Sequence, residues 1–469
     1  MNQRPALKRG IRFRDLVLFY VISTFSVRWT ALAAAAGPSI LVIWIAALAC
    51  FFVPLAASVM ELSSRHPEEG GIYVWSREAF GDFAGFIAAW TYWMSNLPYF
   101  PGVLYFGAAS ALFAFGPQAR HLAGDPLYYV LFSVAALGAI TLLNIGGITL
   151  GKWFNNISAL GSLVPMVLLV GLAAVSVRHY GAATHFTVAS FVPHWSLGNA
   201  IFWSSVFFAF GGVESGSSMG DEIENPRRNI PAAIVLGGAL LALCYIAGTS
   251  SLLVALPSTA VAGPDGFVHA IAILGARFHL AWIIAPVALL VALNAVGGAA
   301  AYLSATSRLP FVAGIDHYLP AAFGSIHPRY RTPWVAIGIY GLAGIAVALL
   351  GQAGTTVRGA YEVMVSMGVL SYFVPYLFLF GAMIRLQARA IGPEVRRVPG
   401  GKPVAIVLAS VGLISTSLTI VLSAIPAQDE PHKLLAVVKV VGGALLLIGA
   451  GVTVFLLESA RSRKTLQPR

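Results

Sequence analysis

Charged residues and cysteines are scarce in this chain of 469 residues. Aspartate, glutamate, lysine and arginine together make up only 10% of the sequence, whereas a soluble domain carries about 25%. The two cysteines, Cys50 and Cys244, lie inside apolar stretches and offer neither a disulfide framework nor the spacing of a metal site. The shortage of charge excludes an ordinary soluble protein, and the cysteine pattern gives no reason to expect a metal.

Several signatures of catalysis and of ATP binding are also missing. The chain contains no HExxH pattern, no CxxC pattern and no phosphate-binding loop. Without an ATP-binding cassette, any transport activity must draw on ion gradients or on exchange of substrates. We therefore predict that the chain is not an enzyme and that it uses no cofactor.

Long apolar runs dominate the rest of the chain. Hydrophobic residues make up 58% of it, and the mean hydropathy is +0.81. A membrane-spanning helix needs about 20 consecutive apolar residues, and the runs here are continuous where the strands of a barrel would alternate. We predict an all-α integral membrane protein, a single transmembrane domain over residues 1–469. Its roughly twelve helices correspond to the windows 15–36, 39–61, 83–115, 126–147, 153–177, 198–220, 231–256, 279–306, 332–351, 359–384, 403–425 and 434–457.

The basic residues are distributed unevenly among the loops that join these windows. Most of the 29 lysines and arginines fall on the side that also holds both chain ends, and loops rich in these residues face the cytoplasm. We predict cytoplasmic tails at 1–14 and 458–469, in a protein of the cell membrane and, in bacteria, of the inner membrane. This topology explains the net charge of +11 better than nucleic-acid binding does, so the expected partner is the lipid bilayer.

The sixth window is interrupted in its middle. After Phe208 the chain reaches Gly211 and Gly212, and then the sequence Val213-Glu214-Ser215. Glycine lowers helix stability by about 1 kcal/mol, and an ionisable group in the membrane costs several kcal/mol more unless it is paired. Irregular backbone is tolerated at this depth only where it lines a cavity or is buried in protein. We interpret the stretch as a discontinuous helix that binds a small polar ligand.

The first window contains a second unusual charge, Arg28, in a run of small and polar residues that includes Ser26. Along a helix, Arg28 lies about 20 Å from Asp15, which is too deep for its side chain to reach water easily. One interpretation is a clamp for a carboxylate, since a guanidinium group matches that geometry. The other is a structural ion pair with an acid on another helix, and Glu214 is the natural partner.

The two interrupted windows stand at corresponding places in the sequence. Each opens a block of five windows, 15–177 and 198–384, and the last two windows, 403–457, fall outside this repeat. Broken helices at matching positions in two halves are the best sequence indication of a transporter site. We therefore predict a five-plus-five arrangement with two accessory helices.

Several further residues are candidates for binding, coupling or gating. Glu214 is a candidate proton-coupling carboxylate, because burial raises and a nearby arginine lowers the pKa of such a group. Among the aromatic residues, Trp29, Phe208 and Tyr302 lie beside small residues or a break, although packing and lipid contact explain most aromatic residues here. Two buried amides, Asn96 and Asn294, complete the set.

Three stretches together resemble the amino acid–polyamine–organocation superfamily of permeases. They are ELSSRHPEEGGIYVWSREAFG at 61–81, FFAFGGVESGSSMGDEIENPRRNIPAAI at 207–234, and ATSRLPFVAGIDHYLP with HPRYRTPWVAI at 305–337. The resemblance implies two inverted five-helix repeats, alternating access, and amino acids or amines as substrates. It also implies that residues 211–215 receive a substrate amino group, that Phe208 stacks on the substrate, and that Tyr302 and Glu214 take part in gating.

The sequence departs from this family in the first helix. The family's glycine-rich loop, whose amides bind the substrate carboxylate, is replaced by Ser26-Val27-Arg28-Trp29, so we expect the Arg28 side chain to take over that role. The resulting prediction is a secondary amino acid transporter, coupled to protons or working by exchange. A permease for polyamines or organic cations is the alternative within the same fold, and a ligand-binding membrane sensor is the alternative from another class.

Overall fold

The computed structural model describes residues 7–261, 265–352, 357–390, 392–425, 434 and 437–466. Over these residues the chain is helical, with a single β-bridge, between Ile11 and Ile223. Ten helices in this part of the chain are long and apolar enough to cross a membrane. Shorter apolar segments complete two further spans, so the predicted all-α membrane fold is confirmed. Residues 1–6 and 467–469 of the two predicted tails lie outside the described residues.

We number the spans 1 to 12 in chain order. Three of them consist of two pieces: span 1 is Phe13–Thr24 and Val27–Ala34, span 2 is Ile40–Ala47 and Val53–Arg65 around a π-helical turn, and span 6 is Leu197–Phe208 followed by the 3-10 helix Ser215–Glu222. The others are span 3 Asp82–Leu112, span 4 Pro126–Ile145, span 5 Ile148–Tyr180, span 7 Pro226–Ala255, span 8 Ile284–Thr306, span 9 Trp334–Gln352, span 10 Val357–Leu386, span 11 Gly401–Ser423 and span 12 Gly443–Leu466. Connecting α-helices are Ile72–Phe80, Gly266–Arg277 and Arg308–Ile315.

Local sequence signals explain several of the helix ends. Asp125 caps span 4 by accepting a hydrogen bond from the Leu127 amide at 2.9 Å, and proline follows it at the first helical position. Ser196 caps span 6 in the same way, through the Asn199 amide at 3.1 Å. Span 6 therefore has an ordinary beginning, and its interruption is a property of the residues in its middle.

Burial separates the spans into an inner group and a lipid-facing group. In span 1, 83% of the most apolar window is buried, and in span 3 the share is 78%, whereas in span 12 it is 11%. Spans 5 and 8 approach closely through glycine, because a Cβ atom at Gly161 would lie 2.2 Å from the carbonyl oxygen of Leu290. The high burial of span 1 places it at the centre, where its interruption is surrounded by protein. The division into blocks 15–177, 198–384 and 403–457 remains a prediction.

Candidate functional site

Both predicted interruptions are present, and one hydroxyl group joins them. Phe25 and Ser26 are extended between the two helices of span 1. The single hydroxyl hydrogen of Tyr245, in span 7, is shared between the carbonyl oxygens of Thr24, at 3.0 Å, and Ala209, at 3.1 Å, and the hydroxyl oxygen accepts from the amide of Ser26 at 3.3 Å. Backbone groups released by the break in span 1 and by the break in span 6 thus share a partner, as buried backbone groups require.

Glycine is required in span 6 for both conformation and space. Gly212 has φ of 120°, in the region that favours glycine. A Cβ atom there would lie 2.5 Å from the Tyr302 hydroxyl and 2.9 Å from Cγ2 of Thr24. At Gly211, a Cβ atom would lie 2.8 Å from Cε1 of Tyr372. The paired glycines therefore let spans 1, 8 and 10 bring side chains against the unwound backbone.

Tyrosine hydroxyls surround the carboxylate of Glu214, which is 2% exposed. One of its oxygens accepts hydrogen bonds from Tyr92 at 2.5 Å and from Tyr372 at 2.8 Å, and the other accepts from the Gly212 amide at 3.1 Å. The Tyr302 hydroxyl lies 2.9 Å from that of Tyr372, and because the Tyr372 proton points to Glu214, Tyr302 is the donor. Spans 3, 8 and 10 are thus connected to the break in span 6 through one carboxylate.

Arg28 is buried without a hydrogen-bonding partner for two of its nitrogens. The residue is 7% exposed, and its Nε and Nη1 atoms form no hydrogen bond within the described part of the chain. The guanidinium carbon lies 4.7 Å from the centre of the Trp29 ring and 6.0 Å from that of Tyr99. Among the described residues no ion pair joins it to Glu214, so the structure does not form the direct pair that was one interpretation of the sequence.

The Arg28 side chain lines a cavity of about 30 Å³ at the centre of the fold. The break in span 1 forms one wall, and Tyr99, Phe208, Tyr302 and Tyr372 contribute to the others. This is about the space of one water molecule, so the structure is a closed conformation. Arg28, Tyr99 and Phe208 also line a smaller cavity beside Met364 and Gly368 in the first half of span 10, and they therefore lie between the two cavities.

The predicted site residues fall into three groups in the structure. Those on the wall of the central cavity are Ser26, Arg28, Trp29, Phe208, Gly211 and Tyr302. Those buried directly beyond it are Gly212, Val213, Glu214 and Ser215, and the Ser215 hydroxyl donates to the Gly212 carbonyl at 2.5 Å.

The two amide residues form the third group and lie away from the cavity wall. Asn294 donates to the carbonyl oxygen of Ser158 at 3.3 Å, between spans 8 and 5, and Asn96 donates to Tyr92 within span 3 at 2.8 Å. Their contacts are those of helix packing, and their predicted gating roles remain predictions.

Sequence reasoning missed Tyr372 and Tyr245 as parts of the site. Tyr372 and Tyr376 are one helical turn apart in the window 359–384, and that spacing places both on one face of span 10. Tyr92 and Tyr99 are two turns apart in span 3 and likewise share a face. Tyrosines spaced one or two helical turns apart in a membrane span were the sequence signal that could have identified Tyr372.

Ion pairs between connecting segments and span ends close the side of the molecule that holds both chain termini. Arg308 makes two hydrogen bonds of 3.0 Å to the carboxylate of Glu222, and all three residues of the cluster Glu69, Glu222 and Arg308 are buried. Further pairs at this end are Arg65–Glu61, Arg77–Asp316 and Lys152–Asp15. These contacts hold the closed conformation on that side.

One serine stands in a sequence pattern typical of a hydrolase nucleophile, but the backbone around it differs from that of such a nucleophile. Ser218 stands between Gly216 and Gly220 in the pattern G-x-S-x-G. The nucleophile of that motif lies on a sharp turn between a strand and a helix, whereas Ser218 is buried within the 3-10 helix of span 6. Its packing role explains the residue without catalysis.

Two interrupted spans that meet at a central polar cavity, in an all-helical membrane fold, define a secondary transporter. The chain belongs to the amino acid permease family, whose model matches residues 13–447. An uncharacterized transporter of Legionella pneumophila is 27% identical over 94% of this chain and 95% of its own length. A probable agmatine/putrescine antiporter of Lactococcus lactis is 25% identical over 93% and 92%. A glutamate/gamma-aminobutyrate antiporter of the same species is 25% identical over 81% and 78%. The prediction of a transporter rather than an enzyme is confirmed.

Proposed function

We propose that this permease carries an amino acid whose carboxylate binds Arg28 and whose amino group binds at the break in span 6. The observation that carries the proposal is the unpartnered, buried guanidinium group on the wall of the central cavity. A charged group with free donors in this position is costly unless an anion joins it. A carboxylate supplies that anion in a geometry that matches the guanidinium group.

The local backbone supports an anion at the same place. The outer helix of span 1, Val27–Ala34, begins one residue before Arg28, and the N-terminal end of a helix favours negative charge. The amide of Ser26 already donates to Tyr245. The arginine side chain therefore supplies free donors where the family uses a glycine-rich loop.

The opposite side of the cavity is suited to an amino group. Ala209 and Gly211 line it with backbone that has left the helix, and carbonyl oxygens accept hydrogen bonds from an ammonium group. The carboxylate of Glu214 lies behind this backbone and favours positive charge there. The cavity therefore presents a cation at one end and an acid near the other, as a zwitterion requires.

Aromatic side chains form the outer boundary of this site. The Phe208 ring lies 5.7 Å from that of Trp29 and 5.1 Å from that of Tyr372. We propose that Phe208 covers the substrate and that Tyr302 and Tyr372 move with Glu214 when the inner path opens. The inverted repeats 15–177 and 198–384 would provide the alternating movement.

Coupling, orientation and location complete the proposal. Glu214 is the candidate for proton coupling, and exchange is supported by the two relatives named as antiporters. The concentration of basic residues on one side supports cytoplasmic termini in a bacterial inner membrane.

Uptake by proteoliposomes that contain the purified protein tests the proposal. A thermal-shift screen of amino acids and amines selects the substrate, and we expect Arg28→Ala to raise its half-saturating concentration at least about tenfold, because a charge-assisted hydrogen bond contributes about 1.5–3 kcal/mol. Arg178→Ala, at an exposed position in the last turn of span 5, is the matched control and should leave uptake unchanged. Uptake of polyamines that persists in Arg28→Ala would favour the organic-cation alternative, and stabilisation by a ligand without its accumulation would favour a sensor.

A further inference from the structure

The inner cluster formed by Glu69, Glu222 and Arg308, named here the inner latch, contains more negative than positive charge. Arg308 is 1% exposed, and its Nε and Nη2 atoms each donate to an oxygen of Glu222 at 3.0 Å. Its third nitrogen, Nη1, donates to the backbone carbonyl and the hydroxyl group of Ser304 and to the hydroxyl of Ser307. Each of the three guanidinium nitrogens therefore has a partner other than Glu69.

Glu69 is the second carboxylate of this latch, and within the described part of the chain one of its two oxygens lacks a hydrogen-bond donor. Its Oε2 atom accepts a hydrogen bond from the Asp221 amide at 3.0 Å. Its Oε1 atom is buried and forms no hydrogen bond to any described residue, and the Arg308 Nε atom lies 3.8 Å away. A buried carboxylate oxygen with no donor is strongly disfavoured when the group is ionised, whereas a protonated carboxyl group carries no net charge.

Glu69 is buried because two segments pack tightly over it. The loop at 66–71, between span 2 and the helix Ile72–Phe80, lies against the inner half of span 6. The Gly70 amide donates to the Ser218 carbonyl at 3.3 Å, and a Cβ atom at Gly220 would lie 2.1 Å from the Pro67 carbonyl oxygen. Separation of this loop from the inner half of span 6 would expose Glu69 to water.

We propose that Glu69 is a proton-binding site that is occupied when the inner latch is closed and empties when the latch opens. The charged groups that face it are Glu222 and Asp221 from span 6 and Arg308 from the start of the helix Arg308–Ile315, which follows span 8. This site is separate from Glu214 and from the substrate cavity, and it makes the cytoplasmic pH a regulator of inward opening.

The sign of the pH effect follows from burial. Burial raises the pKa of Glu69 well above its ordinary value; Glu222 raises it further, Arg308 lowers it and Asp221 raises it. In the open latch water hydrates the group, and its pKa returns toward about 4.3. Proton binding therefore favours closure fully below that value, and the effect is lost as the pH rises through the raised pKa of the closed state. Acidification of the cytoplasm should slow inward opening, by up to about tenfold per pH unit.

Infrared titration of the purified, full-length protein tests the site directly, because a protonated carboxyl group absorbs apart from a carboxylate. We expect a protonated-carboxyl band in the wild type that disappears at high pH, and we expect Glu69→Gln to remove it. Glu394→Gln, at an exposed carboxylate on the same side, should retain the band, and Glu214→Gln separates any contribution from the substrate site. A band that is unchanged in Glu69→Gln would overturn the proposal.

A second variant keeps the test independent of how Glu69→Gln folds. Asp221→Asn keeps Glu69 but removes a negative charge that faces it, so the band should titrate at a measurably lower pH. Exchange measured in proteoliposomes at equal pH on both sides should slow on acidification in the wild type and should lose that dependence in Glu69→Gln. An unshifted titration in Asp221→Asn would contradict the assignment to Glu69.

Discussion

Tyr245 donates a hydrogen bond of 3.0 Å to the carbonyl oxygen of Thr24, at the residue where span 1 stops being helical. The same hydroxyl reaches Ala209, just past the first helix of span 6. Because both carbonyls are buried and released from helical hydrogen bonding, the hydroxyl stabilises two irregular segments together. The central cavity therefore depends on a residue of span 7 that does not line it.

Removal of this hydroxyl should weaken both breaks. In Tyr245→Phe, the Thr24 carbonyl, the Ala209 carbonyl and the Ser26 amide lose their shared partner, and an unsatisfied buried group costs about 1–3 kcal/mol. We expect a lower midpoint of thermal unfolding and at least about fivefold slower uptake. Tyr105→Phe is the matched control, since Tyr105 is also buried and bonds Gln352 at 2.9 Å; it should lose stability but retain uptake. Wild-type uptake by Tyr245→Phe would contradict this role.

Alanine substitutions at two glycines, one in the break of span 6 and one in open space, test how tightly that break is packed. Gly212→Ala forces a side chain into a positive φ and against Tyr302 and Thr24, and such strain costs about 1–3 kcal/mol. We expect the variant to lose most transport, because Tyr302 must move from its place beside Tyr372 and Glu214. Gly171→Ala, in span 5 with open space around its Cβ position, should transport normally and gain slightly in stability. Both expectations are tested by measuring the uptake rates and the unfolding midpoints of the two variants side by side.

The inner latch should show the energetics of a buried ion pair. Arg308→Met leaves the Glu222 carboxylate buried without its partner, which costs about 3–5 kcal/mol, and the unfolding midpoint should fall sharply. The double variant Arg308→Met/Glu222→Gln should recover part of the loss, because it removes the unpaired charge. Arg389→Met is the control at the same end of the molecule: its pair with Glu78 is 55% exposed on the arginine side, and its loss should cost less than about 1 kcal/mol. Equal effects of the two arginine variants would show that the latch is not a buried pair.

The sequence predicted the features that carry a local signal. Paired glycines beside Glu214, and an arginine deep in the first apolar window, marked both interruptions, because such residues are costly in a membrane unless the fold uses them. The sequence did not reveal that Glu214 is bonded to Tyr92 and Tyr372 rather than to Arg28. That choice depends on which faces of spans 3 and 10 turn inward, and nearly uniform apolar windows carry little information about rotation. Tyr245 escaped notice for the same reason, since its role comes from contacts with two segments far away in the chain.

The contact between Arg28 and a substrate carboxylate can be isolated by changing both partners. The amino acid identified by the screen is compared with its carboxamide, which keeps the shape but removes the negative charge, in the wild type and in Arg28→Gln. If the guanidinium group binds the carboxylate, the wild type should bind the amide about 10- to 100-fold more weakly, corresponding to about 1.4–3 kcal/mol. Arg28→Gln should discriminate between the two ligands by less than about threefold, because the glutamine side chain carries no charge that could pair with the carboxylate. An arginine that only shapes the cavity would instead weaken both ligands equally on substitution. Competition against labelled substrate, with Arg178→Gln as the exposed control, separates these outcomes, and equal discrimination in all three proteins would remove Arg28 from the substrate site.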